Sequence, residues 1–121
     1  MPTSPVDVPP WAAGATDEQL AILYRQGPMP RAAALALYVR YAAMMRRFVF
    51  WRVHHGLLPA SEAEDALQEA AVVLLEAAAC FDPARPSCAN AAPFRAFYRR
   101  VLGDRLNNML RAWARRERLL D

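Results

Sequence analysis

Apolar and polar positions recur at three- and four-residue spacing along most of this chain, which is the period of an amphipathic α-helix. The pattern is sharpest between Ser61 and Asp82. The apolar stripe of this segment contains Leu67, Ala70, Ala71, Leu74, Ala77, Ala78 and Phe81. A second stripe, on another face, contains Asp65, Gln68, Glu69, Val72 and Glu76. Ser61 and Glu64 match a capping box, so we expect a helix that begins at Ser61, with one face in the core and another available to a partner.

Three further helices are predicted. Thr16 and Gln19 form another capping box, which opens a short helix that Gly27 ends. A long helix runs from Arg31 toward Gly56, and its predicted inner face contains Ala34, Tyr38, Tyr41, Met45 and Phe48. Four of its arginines are expected to point toward solvent or a partner: Arg40, Arg46, Arg47 and Arg52.

The last helix is predicted to start at Pro93, because proline is favoured in a first helical turn. Its apolar stripe contains Phe94, Phe97, Val101, Leu102, Leu106, Met109, Leu110 and Trp113. Gly103 interrupts this helix with a residue of low helical propensity, which we interpret as room for the close approach of another backbone.

Two segments lack a helical period. Residues 1–15 contain four prolines, which indicates a flexible leader. Residues 82–93 contain three prolines, which indicates a long loop, and long loops often serve in binding. No segment shows the alternation of a strand. The patterns together predict an all-α fold, a compact bundle of about four helices over residues 16–118 in which the first helix is short.

The composition is typical of a small globular domain, with 121 residues of which 55% are hydrophobic and 22% charged. No apolar run is long enough to span a membrane and no signal peptide is evident, so we expect a cytoplasmic protein. Residues 1–94 contain seven Arg and nine acids, a net charge of −2, whereas residues 95–121 contain eight Arg and three acids, a net charge of +5. This asymmetry indicates that the C-terminal helix binds a polyanion.

Residues suited to metal binding or catalysis are few. Cys80, Cys88, His54 and His55 do not have the spacing of a compact zinc motif, and the two cysteines are expected to be reduced thiols. No nucleophile has a matched base, and no glycine-rich phosphate loop is present. We therefore predict no metal, no cofactor and no enzymatic activity.

Five blocks of the sequence, taken in order, resemble a known family: TDEQLAILYRQG, LYVRYAAMMRRFV, AEDALQEAAVVLL, FDPARP and FRAFYRRVLGDRLNNMLR. They are similar to region 2 of bacterial RNA polymerase sigma factors, in particular those of the extracytoplasmic-function group. The resemblance extends from Asp17 to about Arg116. Its most specific part is the DALQE segment, Asp65 to Glu69, which the FDP and FRAF blocks follow in order.

The resemblance implies a role in transcription initiation. In the family, the acidic helix docks on the coiled coil of the β′ clamp of the polymerase core. The residues at matching positions are Asp65, Gln68 and Glu69, with Val72 on the same stripe. The resemblance therefore implies that Asp65, Gln68 and Glu69 contact the polymerase, and Val72 is a further candidate because it shares their stripe. The family's anti-sigma factors are further possible partners.

The resemblance also implies contacts with promoter DNA. The family uses the segment that corresponds to residues 82–93 to receive a base flipped out of the non-template strand of the −10 element, and the candidates here are Pro83, Arg85, Ser87 and Asn90. The last helix corresponds to the regions that hold the −10 DNA as it opens. The candidates on this helix are Arg95, Arg99, Arg100, Asn107, Asn108, Arg111 and Arg115.

The chain departs from the family at several positions. The family usually has Trp where Phe97 stands, and Asn and Asp where this chain has Asp104 and Asn108. Asp104 either weakens contact with the DNA strand or forms a salt bridge with Arg100 or Arg105. The family's second domain, a helix-turn-helix that reads the −35 element, has no counterpart in this sequence. The chain is therefore either an excised first domain or a natural single-domain protein. Together with Asp104, this motivates a second hypothesis, a single-domain, sigma-like interaction module that binds the clamp or an anti-sigma factor without opening promoters.

Overall fold

The computed structural model of the chain describes residues 8–82 and 93–120. Its helices are α1 (Pro10–Ala13), α2 (Asp17–Gln26), α3 (Pro30–His54), α4 (Ala63–Cys80) and α5 (Phe94–Leu120), with a 3-10 turn at Ala60–Glu62 before α4. No strand occurs in these two ranges, which confirms the predicted all-α bundle. α4 packs against both α3 and α5, and α2 contacts all three. Within the described ranges, no helix combines the length and apolarity that crossing a membrane requires.

α2 begins and ends where the sequence predicts. The Thr16 hydroxyl accepts a hydrogen bond from the Gln19 N–H at 3.1 Å, and the Gln19 side chain accepts one from the Thr16 N–H at 2.8 Å. At the other end, the Gly27 N–H donates to the Leu23 carbonyl at 2.8 Å. A Cβ on Gly27 would lie 2.5 Å from that same oxygen, so the end of α2 requires glycine.

α3 buries a face that differs from the predicted one. The buried residues are Ala33, Ala36, Leu37, Tyr41, Met44, Met45 and Val49. Tyr41 and Met45 agree with the prediction, but Tyr38 is 45% exposed, and Ala34 and Phe48 are only partly buried. α3 carries apolar side chains on most of its own sides, so the spacing of its apolar residues does not by itself show which face is buried. Packing against α2 and α4 selects it.

The start of α4 also differs from the prediction. Ser61 lies inside the 3-10 turn, and α4 begins at Ala63 without a side-chain cap. An N-cap residue needs an extended backbone, whereas the extended residue here is Pro59 and the chain after it is already helical. The buried face of α4 nevertheless lies close to the predicted stripe. Its members are Ala63, Ala66, Ala70, Val73, Leu74, Ala77 and Ala78.

An aromatic cluster joins α3, α4 and α5 at the centre of the core. Tyr98 packs edge-on against Tyr41 with ring centroids 5.4 Å apart, and Phe94 packs edge-on against Phe81 at the same distance. The Tyr98 hydroxyl donates to the Ala70 carbonyl at 2.7 Å. Burial raises the pKa of Tyr98. The predicted apolar stripe of this helix does not include Tyr98, because a tyrosine on a basic helix can equally well face solvent.

The chain before α2 is partly helical. The sequence predicts a leader without a helix over residues 1–15, but Pro10–Ala13 form α1 and Ala12 is fully buried. The Arg40 guanidinium donates to the Ala12 carbonyl and to the Asp17 carboxylate, each at 2.9 Å. Arg40 therefore attaches α1 and α2 to α3.

Candidate functional site

A groove of about 400 Å³ lies between α3 and α5, and its lining is basic and aromatic. The α3 side contributes Met44, Arg47, Phe48, Trp51 and Arg52, and the α5 side contributes Arg95 and Arg99. α3 and α5 meet through side chains such as Tyr41 and Tyr98, whereas α4 packs closely against both of these helices. We call this feature the α3–α5 groove.

Helical spacing explains why these side chains converge. Residues four apart lie on one face of a helix. The groove is lined by three such pairs: Arg47 with Trp51, Phe48 with Arg52, and Arg95 with Arg99. Gly103 lies nearby, and among the described residues a Cβ at this position would meet only the Phe48 ring, at 3.9 Å. The close backbone approach expected at Gly103 is therefore not present, and the prediction is wrong.

The arginines of the groove form no ion pair with a carboxylate of the described residues. α3 contains five Arg and no Asp or Glu. The ion pairs of the described residues involve Arg40, Arg105 and Arg116, and none involves Arg47, Arg52, Arg95 or Arg99. Four guanidinium groups thus share one groove whose described lining contains no carboxylate, which raises the local potential and favours an anionic ligand.

Aromatic rings hold two of these arginines in place. The Arg52 guanidinium lies over the Phe48 ring, 4.2 Å from its centroid, and donates to the Phe48 carbonyl at 3.2 Å. Burial lowers the pKa of Arg52. The Arg95 guanidinium lies 5.9 Å from the Tyr41 centroid. Cation–π contacts of this kind orient a guanidinium without neutralising it.

Trp51 is the exposed aromatic side chain of the groove. It is 53% exposed, and its ring stacks on His55 with centroids 4.1 Å apart and an interplanar angle of 25°. The His55 Nδ1 atom lies 2.7 Å from the Trp51 carbonyl, within hydrogen-bond distance. The stack holds the indole in one orientation while leaving much of its surface open to solvent.

The structure divides the predicted DNA-binding residues into two groups. Arg95 and Arg99 line the α3–α5 groove. The other candidates on α5 are exposed along the helix outside this lining: Arg100, Asn107, Asn108, Arg111 and Arg115. Arg111 donates to the Asn108 side chain at 3.1 Å. The predicted base-reading residues Pro83, Arg85, Ser87 and Asn90 lie outside the described residues.

The predicted polymerase-binding face of α4 is only partly free. Asp65, Gln68 and Val72 are exposed, with Val72 at 49%. Glu69 instead forms an ion pair with Arg105 of α5, and Glu76 binds the other terminal nitrogen of the same guanidinium. These two hydrogen bonds raise the pKa of Arg105. Glu69 therefore has a structural role in joining α4 to α5, whatever else it contacts.

Asp104 is exposed on α5 and makes no ion pair with any described residue. The salt bridge with Arg105 considered from the sequence does not form, because the Arg105 guanidinium is occupied by the two glutamates of α4. Nor does Arg100 pair with Asp104. The Arg100 guanidinium lies 6.0 Å from the Phe97 ring centroid.

Two side chains of α2 cap neighbouring helix ends. One binds the C-terminal end of α4, the other binds the N-terminal end of α5, and residues 83–92 lie between these two ends in the sequence. The Glu18 carboxylate accepts a hydrogen bond from the Phe94 N–H at 2.7 Å, at the start of α5. The Arg25 guanidinium donates to the Phe81 carbonyl at 2.6 Å, just after α4. A carboxylate at a helix N-terminus and a guanidinium at a C-terminus both complement the helix dipole. Glu18 also positions the first turn of α5, which carries Arg95, and Arg99 follows one turn later.

The α3 half of the groove is the part that sequence reasoning misses. The sequence assigns Arg47 and Arg52 only to solvent or a partner, and it gives Trp51 no role. A usable signal is present, since a helix with five Arg and no acid has an uncompensated charge. No group of three or more potential metal ligands occurs in the described ranges.

Comparison with known proteins adds no relative. No family model, no curated protein and no solved structure matches this chain. The function therefore has to be inferred from the two surfaces described above, the acidic face of α4 and the basic surface of α3 and α5.

Proposed function

We propose that this chain is a sigma region 2-like domain, which docks on the polymerase core and binds the −10 element of promoter DNA as it opens. The observation that carries the proposal is the segregation of charge within one helical bundle. Exposed acidic and polar side chains lie on α4, while unpaired arginines lie on α3 and α5. Sigma-like function requires these two surfaces, and such a role implies a cytoplasmic location.

The exposed part of the α4 face has the mixed character of a protein-docking surface. Asp65 supplies charge, Gln68 supplies hydrogen-bonding groups, and Val72 supplies apolar area. Charge complementarity speeds association and fixes register, whereas apolar contact contributes more to the lifetime of a complex. A basic coiled-coil surface, such as that expected of the β′ clamp, complements this face.

The basic surface suits promoter opening, which needs no catalytic group. It needs only a surface that binds separated strands better than duplex. Guanidinium groups bind phosphates, and planar side chains stack on exposed bases. The exposed arginines and asparagines of α5, together with Arg95 and Arg99, supply the first kind of contact.

The docking claim is tested by measuring binding of bacterial core RNA polymerase to the full chain and to a variant carrying Asp65→Lys and Val72→Ala. We expect affinity to fall about tenfold or more, which corresponds to at least 1.4 kcal/mol. Glu69 is left unchanged because its reversal would also break the ion pair with Arg105. The matched control is Glu117→Lys, a charge reversal at an exposed residue of α5. Equal binding by all three proteins would refute docking through α4.

One observation favours a second candidate, a sigma-like interaction module that occupies the clamp or an anti-sigma partner without opening promoters. Asp104 is exposed and unpaired among the described residues, and its helical neighbours include Arg100, Asn107 and Asn108. A carboxylate at this position repels phosphate. Transcription from a −10-dependent promoter by this chain with core polymerase would contradict the second candidate.

A further inference from the structure

We propose that the exposed face shared by α3 and α4 is a self-association surface, on which a second copy of this chain packs to form a symmetric dimer. We call this feature the α3–α4 face. The dimer is inferred from the shape, the apolar surface and the charges of this face alone. Only its effect on polymerase docking rests on the proposed function.

Two depressions, of about 310 and 260 Å³, lie on the α3–α4 face. Tyr38 and Ala71 line both of them, so the two depressions adjoin. Their lining is largely apolar, with leucine side chains from both helices: Leu35, Leu67 and Leu75. The lining extends along α3 from Arg31 to Arg46, roughly 22 Å, which is long enough for about four turns of a partner helix.

The α3–α4 face exposes more apolar surface than the core of the bundle uses. Tyr38 is 45% exposed, Val39 42% and Val72 49%. Val39 and Val72 each lie four residues from a residue of the lining, Leu35 and Gln68, so each extends the surface outward on its own helix. Large apolar side chains grouped on one surface mark a contact with another molecule, whereas single scattered ones do not.

The charges of the α3–α4 face complement those of a second copy. Arg46 of α3 and Glu64 of α4 line the same depression, so they lie at the same level along these two helices. Neither forms an ion pair with a described residue, and the same is true of the exposed Asp65. A rotation of 180° about an axis along the face places α3 of one copy over α4 of the other at an unchanged level. Each Arg46 then faces the Glu64 and Asp65 carboxylates of the other copy, and symmetry repeats the contact.

A second copy fits this face better than a uniformly charged ligand does. The α3 edge of the face is basic, with Arg31 and Arg46, and the α4 edge is acidic, with Glu64 and Asp65. A polyanion would be repelled by the acidic edge. The same face turned through 180° instead presents an acidic edge to the basic one and a basic edge to the acidic one. The two copies of α3 and α4 would then form a four-helix layer with an apolar centre and a charged rim, which is the usual arrangement of a protein–protein interface.

Such a dimer would cover the residues that the proposed function assigns to polymerase docking. Asp65, Gln68 and Val72 lie on the α4 edge of the same face. One copy therefore binds either the polymerase or a second copy, and the dimer has to dissociate before docking.

Sedimentation equilibrium of the full chain over a range of concentrations tests the proposal. We expect a reversible equilibrium between monomer and dimer without larger species, because a two-fold contact closes on itself. Tyr38→Ala should weaken dimerisation about tenfold or more, as truncation of an aromatic side chain at the centre of an interface does. Trp51→Ala is the matched control. It truncates an aromatic residue of the same helix that is 53% exposed but lines the α3–α5 groove, and it should change dimerisation little.

Two charge reversals, Arg46→Glu and Glu64→Arg, give a test that an effect on folding does not mimic. Each variant alone places like charges opposite one another across the interface, so each should dimerise less than the wild type. When the two variants are mixed, both contacts between position 46 of one chain and position 64 of the other join an acid to a base. The mixture should therefore form a heterodimer with an affinity close to that of the wild-type dimer. Mixing leaves each chain's own fold as it was, so it would not rescue a folding defect.

The outcomes separate this inference from the proposed function. A wild-type chain that stays monomeric at every concentration, or that assembles into open-ended larger species, would overturn the dimer, as would a mixture of the two charge variants that stays monomeric. If the wild type is monomeric and Tyr38→Ala weakens binding to core polymerase, the face belongs to the polymerase interface and the dimer is overturned. If the chain dimerises as described but does not bind core polymerase, the dimer stands and the proposed function fails.

Discussion

Arg105 and Arg99 lie on the same helix but in opposite electrostatic settings. Arg105 faces α4, where Glu69 and Glu76 bind its two terminal nitrogens. Arg99 faces α3, where it joins three other arginines and no carboxylate among the described residues. The α4–α5 contact is closed by charge pairing, and the α3–α5 groove is left open and charged.

The difference indicates how this bundle separates stability from binding. We call the α4–α5 contact the closed side of α5 and the α3–α5 groove its open side. On the closed side, α5 is held against α4 by close packing, by the ion pairs of Arg105 and by the hydrogen bond from Tyr98 to Ala70. In the α3–α5 groove, the four guanidinium groups repel one another, and no ion pair with a described residue offsets that repulsion. Residues on the closed side should therefore govern the free energy of unfolding, and residues of the groove should govern ligand affinity.

The largest expected effect comes from pH. Burial raises the pKa of Tyr98, and burial together with the hydrogen bond to Asp17 raises the pKa of Tyr41. Both tyrosines ionise near pH 10 in the unfolded chain but stay protonated in the folded one, so their contribution is fully present below pH 10 and is lost above it. The free energy of unfolding should fall by about 1 kcal/mol for each tyrosine between pH 10 and 11, and the slope should then approach about 1.4 kcal/mol per pH unit for each.

Urea titrations at several alkaline pH values measure this effect. A variant carrying Tyr41→Phe and Tyr98→Phe is the control, since it keeps the rings but has no hydroxyl to ionise. It should be less stable than the wild type at neutral pH and should lose most of the alkaline dependence. If the free energy of unfolding falls no more steeply with pH in the wild type than in the variant, the result would argue against burial of these hydroxyls.

An intermediate effect is expected from Arg105→Ala. Two partly exposed ion pairs are removed together, so the free energy of unfolding should fall by about 0.5–2 kcal/mol. Arg99→Ala is the matched control on the open side and should leave stability within about 0.5 kcal/mol of the wild type. Urea unfolding at low ionic strength and in about 1 M salt should show the Arg105 effect shrinking as screening increases. If Arg105→Ala and Arg99→Ala lowered the free energy of unfolding equally, the two sides of α5 would not differ in their contribution to stability.

The smallest expected effect is a gain from Gly103→Ala. Within the described part of the chain, the new Cβ meets only the Phe48 ring, at 3.9 Å, and alanine has the higher helix propensity. The free energy of unfolding should rise by about 0.5–1 kcal/mol, measured by urea unfolding, with nucleic-acid affinity unchanged. A loss of stability would mean that α3 and α5 approach each other more closely at this point than the structure indicates.

Local sequence determined the features that depend on neighbouring residues. The capping box of Thr16 and Gln19 and the glycine at position 27 set the bounds of α2. α3 and α5 begin at Pro30 and Phe94, each within one residue of the predicted starts at Arg31 and Pro93. The apolar period also identified the inner face of α5 apart from Tyr98. In each of these cases the interaction lies within one helical turn or on one helix, so the pattern contains the needed information.

Tertiary packing decided the rest. Ser61 has the right type for a cap, but the path of the chain from Pro59 places it inside a 3-10 turn. Glu69 has no basic neighbour on its own helix, and only the position of α5 shows that Arg105 binds it. The groove likewise joins residues of two helices that are far apart in the sequence. Sequence can indicate a charged face, but only the packing of helices decides which charges are neutralised within the protein and which remain available to a ligand.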